Sequence, residues 1–352
     1  MRRLGGSGSD AFDFSLDSAF GEGPRLISID EGQDHVNFVS FSSSRLQRLL
    51  GRGAFIFPLV TDLIASPPGK EGRSEIIRGR SAEPGYANTT FVKVSAADFG
   101  VPQTRERVFF FGTRDDQAFD FDLRAYAEGV LKKVKVSKPV TVWDAIGDLP
   151  KKVVPSGNTM SYGSAKKPSA FLRMMRLDYS EGVYTKAVKR RRAIGTSELL
   201  RRNHHTKEMQ AKRARLIGFL KPGEKADSLP KRIWNGARPE KWRRLHPDLP
   251  SYTILAQMHR DLSEWVHPKL ERWITVREAA RLQSFHDGFI FKSSEWQMLK
   301  QIGNAVPPLL GYAVGRMARA VVSATEGKLE SVPVAVQQSI RFVQDARDRV
   351  AA

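Results

Sequence analysis

Apolar and polar positions repeat with two different periods along this chain, and the switch between them marks its elements. In Thr90–Val94 (TFVKV) they alternate, as on a half-buried strand. After a turn at Ala96–Gly100, Val101–Arg107 (VPQTRER) leads into Val108–Phe111, an apolar run that reads as a buried strand. A period of two across that lead-in places Gln103, Arg105 and Arg107 on one side. From Arg272 to Val321 the period lengthens. Thr275-Val276-Arg277-Glu278 has capping-box spacing, in which the Thr hydroxyl and the Glu carboxylate satisfy amides at a helix start. Ala279, Leu282 and Phe285 follow near one face. Pro307-Pro308 suits a first helical turn, where no amide donor is needed. Leu310, Ala313, Val314, Met317, Ala318 and Val321 then repeat at helical spacing. The pattern predicts two packed helices joined by a turn at Gly303-Asn304-Ala305.

The rest of the chain is patterned more weakly. Residues 1–24 are rich in Gly, Ser and Asp and read as a linker-like stretch. Arg25–Asp30 and Val36–Phe41 each suit a short strand, and Phe55–Ala65 a buried strand that Pro58 limits to one side. Val140–Pro150 (VTVWDAIGDLP) reads as a short strand or turn leading into a helix that Gly147 and Pro150 stop. From there to about Pro250 apolar periodicity fades. Arg201–Leu220 is the exception, a helix with a modest apolar face ended by Lys221-Pro222-Gly223. Trp234, Trp242 and Tyr252 lie among cations. They read mostly as the small core of this segment, with stacking on nucleic acid as the other reading.

Charge changes the picture. The chain of 352 residues carries a net charge of +19, and residues 151–250 hold 25 Lys and Arg against 8 Asp and Glu, which is +17 of it. Such concentration suits a phosphate backbone, because each neutralised phosphate releases counterions. The run Lys189, Arg190, Arg191, Arg192 is the densest part and the candidate DNA contact. A surface charged only for solubility would not be so localised. Gln103, Arg105 and Arg107 in turn make either an anion or base-edge clamp or an ordinary charged strand entry.

Other chemistry is thin. Zero Cys excludes disulfides, thiolate metal sites and a cysteine nucleophile within this chain. The histidines do not pair with carboxylates at metal-ligand spacing, so no metal site is expected. Neither a Ser-His-Asp elbow nor a Walker loop is present. No apolar run approaches the roughly 18 residues that span a bilayer. The start, MRRLGGSGSD, lacks the hydrophobic core of a signal peptide. A soluble, cytoplasmic, DNA-associated protein with no membrane partner is the expectation.

Three motifs then stand in order. AADFGVPQTRERVFFFG resembles the Q-x-R-x-R motif of the cytosine-5 DNA methyltransferases, RWITVREAARLQSF their next motif, and QIGNAVPPLLGYA their last. A basic variable segment between the first two is also the family's order, and WDAIGDLP and LPSYTI are similar to its recurring connectors. The resemblance covers roughly residues 86–320. It implies an α/β fold: a doubly wound S-adenosylmethionine-dependent methyltransferase-like sheet, incomplete at the N-terminal side, with a smaller basic target-recognition domain. Residues 86–150 and 272–325 would be parts of the catalytic domain and 151–271 the recognition domain, with 1–85 poorly defined and 326–352 a tail. The implied reaction flips a cytosine out of double-stranded DNA, attacks C6 with a cysteine, and moves a methyl group from S-adenosylmethionine to C5. Arg105 and Arg107 would position the target base and the adjacent phosphate, with Gln103 supporting them. Asn304 and Val306 would close over the methyl-donor pocket.

The departures limit that reading. The family's Pro-Cys nucleophile is missing: Asp62–Pro68 echoes the strand that leads to it, but Gly69 stands in the cysteine's place. No Glu-Asn-Val and no Gly-rich donor loop occur. Three explanations follow: one subunit of a split methyltransferase completed by a partner subunit, a truncated methyltransferase, or a catalytically inactive DNA-binding relative. The first two keep the assignment to DNA methylation and restriction-modification. In each, this chain alone is expected to be inactive.

Overall fold

The computed structural model describes residues 88–113, 121–162, 168–176, 202–236, 238, 242–256, 258 and 264–325, together with the backbone of three strands nearer the N-terminus. Those strands are β1 (Leu26–Ser28), β2 (Asn37–Val39) and β3 (Ala54–Leu59); the first two lie inside stretches expected to be extended, and β3 overlaps the start of the third. β4 (Asn88–Ser95) and β5 (Glu106–Thr113) follow. The helices are α1 (Leu123–Lys133), α2 (Val142–Ile146), α3 (Ala170–Met175), α4 (Ala211–Gly218), α5 (Val276–Leu282), α6 (Glu295–Asn304) and α7 (Pro308–Thr325). Between α4 and α5 lie β6 (Trp242–Arg244) and β7 (Glu264–Val266).

The chain divides into two compact units. One comprises Met1–Val94, Arg107–Val130 and Met317–Ala352, and the other Ser95–Glu106 and Leu131–Arg316. In the first, β5 is the middle strand of a three-stranded sheet ordered β3-β5-β4, with β3 antiparallel to it. Every β5 residue after Glu106 is buried, as a strand covered on both faces requires. Phe91 of β4 meets Phe110 at 5.6 Å. Tyr126 of α1 is buried and donates to the Ala320 carbonyl of α7 at 3.3 Å. Among the described strands no doubly wound parallel order is displayed.

The second unit is held at its helix starts. Thr141 and Asp144 form a capping box on α2, and Thr275 and Glu278 form the expected one on α5. One expectation fails. The stretch between the two foreseen helices is not a spacer: Ser294 caps α6, whose Met298, Leu299 and Ile302 turn inward. Gly303 and Asn304 are therefore the last residues of a helix, and the turn into α7 is Ala305–Pro307. The helix expected over Arg201–Leu220 is confined to α4, because nine residues from Arg202 to Gln210 are extended or irregular.

A separate small core lies in the basic segment. Ile217 and Leu220 at the end of α4 pack with Ala226, Leu229, Trp242, Val266 and Trp273. Trp234 lies against it with its ring 4.7 Å from that of Trp242. The core reading thus holds for both tryptophans, whereas Tyr252 is exposed. β6 and β7 pair in parallel beside it.

Candidate target-base and DNA-facing site

The expected period of two is present at the strand entry: Gln103, Arg105 and Arg107 are buried while Thr104 and Glu106 are exposed. What faces inward is taken up by the protein itself. Gln103, with no exposed surface, donates from Nε2 to the Leu282 carbonyl at 3.2 Å and accepts from the Ile254 amide at 3.0 Å. Arg105 donates through Nη1 to the Ile254 carbonyl at 2.9 Å and through Nη2 to the Gly303 carbonyl at 2.8 Å. Thr104 and Ser251 are joined main chain to main chain at 2.8 Å, and the Ser251 amide donates to Pro102 at 3.0 Å. The entry strand therefore ties together the 251–256 segment, the end of α5 and the end of α6. Arg107 lies on β5 in the other unit.

Gln283 completes the knot. Its Nε2 donates to the Ile302 and Ala305 carbonyls at 3.0 and 2.7 Å, bonding the residue after α5 to the last turn of α6. Gly303 fits there because it has no side chain. A Cβ would sit 2.6 Å from the Ala256 nitrogen and from the Leu255 carbonyl group, all backbone atoms. Ser284 next to it adopts a left-handed φ of 64° and accepts from the Leu309 amide at 3.2 Å, anchoring the start of α7.

Behind this knot lies a buried ionic cluster. Arg281 of α5 bonds both Asp287 oxygens at 2.9 and 2.6 Å and pairs with Asp148 just past α2. Asp148 also takes Arg176 at 2.7 Å, and Tyr162 donates to Asp287 at 2.6 Å. Burial alone would raise Asp287, but Arg281 holds it below the usual carboxylate range. One turn earlier on α5, Glu278 is bound by both terminal nitrogens of Arg272 at 2.9 and 2.7 Å. Burial pushes Glu278 up, yet Arg272 outweighs it and brings the carboxyl down to about 2. Burial lowers His267 and His286, each to about 4.

The expected site residues thus have different fates. Gln103 and Arg105 converge with the next two motifs. Asn304 is exposed at the end of α6 and Val306 is half-buried in the turn. Lys189, Arg190, Arg191 and Arg192 lie outside the described residues. Sequence reasoning missed Ile254, Gln283 and Gly303 as partners of the clamp, and Asp148 and Asp287 as partners of Arg281. The motifs LPSYTI, RLQSF, QIGNAV and WDAIGDLP held all of these but Asp287, six residues past Arg281, and nothing in a single sequence pairs positions as far apart as the others.

The fold is of the α/β methyltransferase class. A DNA modification methyltransferase encoded within an E. coli prophage has a similar fold, with a TM-score of 0.50 and 21% identity over 75% of this chain and 68% of that one. The model of the C-5 cytosine-specific DNA methylases matches residues 70–319, beginning before the first motif read above. The chain belongs to that family, whose members take their methyl group from S-adenosylmethionine. It is 29% identical to the type II methyltransferase M.AgeI of Thalassovita gelatinovora over 324 residues, 77% of this chain and 74% of that one. It is 30% identical to the type II methyltransferase M.XorII of Xanthomonas oryzae pv. oryzae over 323 residues, 90% of this chain and 70% of that one. The chain spans 59% of a relative from Oceanobacillus iheyensis.

Asn304 at the end of α6 presents an exposed amide, and Val306 in the turn that follows a half-buried aliphatic group. No Gly-rich loop at a helix start accompanies them among the described residues, so these two residues by themselves do not make a site for the methyl donor. Among the described residues no helix is long and apolar enough to cross a membrane, and no group of His, Asp and Glu could hold a metal ion.

Proposed function

We propose that this chain is the DNA-engaging part of a DNA (cytosine-5-)-methyltransferase, acting on a specific double-stranded sequence as a split subunit or truncated form. In the split form a second polypeptide supplies the nucleophile. The observation that carries this reading is the knot at Gln103 and Arg105. Three separately matching motifs meet there through buried hydrogen bonds, while the chain contains no Cys to attack C6.

In this reading the catalytic domain comprises 86–150 and 272–325, on a doubly wound sheet, and 151–271 is the recognition domain. Arg105 and Gln103 hold the backbone that surrounds the target base, and Arg107 serves the base and its phosphate. Asn304 and Val306 form one rim of the donor pocket, where S-adenosylmethionine when bound supplies an electrophilic methyl group. Lys189–Arg192 meet phosphates. The protein works in the cytoplasm, beside the restriction enzyme of a restriction-modification pair. A second reading, a catalytically inactive DNA-binding relative, is favoured by the same absence of Cys.

Methyl transfer from labelled S-adenosylmethionine to DNA separates the readings. The purified chain alone is expected to give no labelled DNA, and turnover by it alone would overturn the proposal. Activity restored by adding a polypeptide that carries the Pro-Cys, Glu-Asn-Val and Gly-rich motifs supports the split form. DNA binding that stays silent with every such polypeptide leaves the inactive relative.

A further inference from the structure

The segment from Leu245 to Ala256 is pinned by its backbone. Its backbone is spent on the protein: Leu249 and Pro247 carbonyls accept from Val142 and Trp143 at 2.9 and 2.8 Å, Ser251 bonds Pro102 and Thr104, and both polar groups of Ile254 are taken by Gln103 and Arg105. Leu245 and Ile254 are buried, but three of its apolar side chains are exposed. Leu249 is 55% exposed, Tyr252 40% and Leu255 44%. Of the eight large hydrophobic residues exposed among the described residues, three fall within these seven positions. A single exposed apolar residue is ordinary, but a cluster on a pinned backbone marks a contact surface.

Charge selects the partner. The guanidinium of Arg243 lies 3.9 Å from the centre of the Tyr252 ring, which holds a cation at the edge of the apolar cluster. From Trp242 to Ala256 the only acid is Asp248, and residues 151–250 carry +17 along the sequence. An apolar patch with a stacked arginine inside a strongly basic region fits sugar faces flanked by phosphates. The same backbone is clamped by Gln103 and Arg105, so the patch keeps a fixed position relative to those two residues.

We infer that Leu249, Tyr252 and Leu255, with Arg243 stacked on Tyr252, form a rigid contact surface for the sugar–phosphate backbone of duplex DNA, Arg243 meeting a phosphate and Tyr252 a deoxyribose or base face. This rests on the reading of the chain as a DNA-engaging protein. The test is fluorescence anisotropy of the full chain with a labelled mixed-sequence duplex over a series of salt concentrations. Arg243→Gln is expected to lower the slope of log affinity against log salt by about 0.9, the loss of one phosphate contact. Tyr252→Ala is expected to weaken binding roughly tenfold at every salt concentration with the slope unchanged, and Tyr252→Phe to retain affinity. Lys135→Ala, at an exposed cation paired with Asp98, serves as the control and binds as the parent does. Thermal melts of the Tyr252 pair establish that both variants fold. If the parent binds and both Arg243→Gln and Tyr252→Ala match it in affinity and slope, the inference fails and the proposed function stands. If those variants lose only the response to a complementing polypeptide, the surface belongs to a protein partner and the inference fails. If the parent binds no duplex at any salt, both fail.

Discussion

Arg281 shows how much a single residue can commit. It is fully buried, and its guanidinium is shared between Asp148 and Asp287. Burial disfavours its charge, but the two carboxylates raise its pKa above the ordinary value. A pair buried this deeply is weak as a source of net stability, yet removing one partner strands the other charge. Arg281→Met leaves Asp148 with Arg176 and Asp287 with Tyr162, and is expected to cost about 3–5 kcal/mol in urea unfolding. In the sequence Arg281 was only a polar position in an apolar helix pattern. Its inward direction depends on Asp148, 133 residues away, and no local period reports that. Gln103 and Arg105 were more legible, since alternation alone put them on one side. The sequence could not say that this side faces protein carbonyls.

At the level of elements, capping chemistry was the most readable feature. Thr275 and Glu278 form their box because the spacing lets each side chain reach the other's amide, a purely local condition. α6 was missed because its Ser294 start lies in a polar stretch and its apolar residues come late. The box on α5 also carries a titration. His267 stands 3.7 Å from Glu278 and is still held neutral by burial, helped by Arg272 and Arg244. His286 is held neutral by burial and Arg277. Both take up a proton more readily once unfolded. Their contribution is therefore full above the ordinary value of 6.5 and is lost as pH falls toward about 4. Each is worth roughly 3 kcal/mol. Urea midpoints are expected to drop steadily between those limits, and His267→Gln or His286→Gln to flatten the profile.

For the whole molecule, the α/β class and the family were legible because three motifs stand in one order with a basic segment between the first two. The division into two compact units was not, since both units draw on segments distant in sequence. Net charge supplies a prediction at this scale. Replacing Lys189, Arg190, Arg191 and Arg192 together by Gln should weaken binding to every duplex about equally and flatten the salt dependence, measured by anisotropy on duplexes of unrelated sequence. Unequal losses would assign these cations to base reading instead. The close approach of Gly303 to Leu255 and Ala256 bears on how such proteins exchange specificity. A recombination that moved residues 151–271, the proposed recognition domain, between relatives would split this joint between donor and host. Ile254, Leu255 and Ala256 travel mechanically with Arg105 and Gly303, so an interchangeable cassette must end before Ser251 and leave that joint with its host.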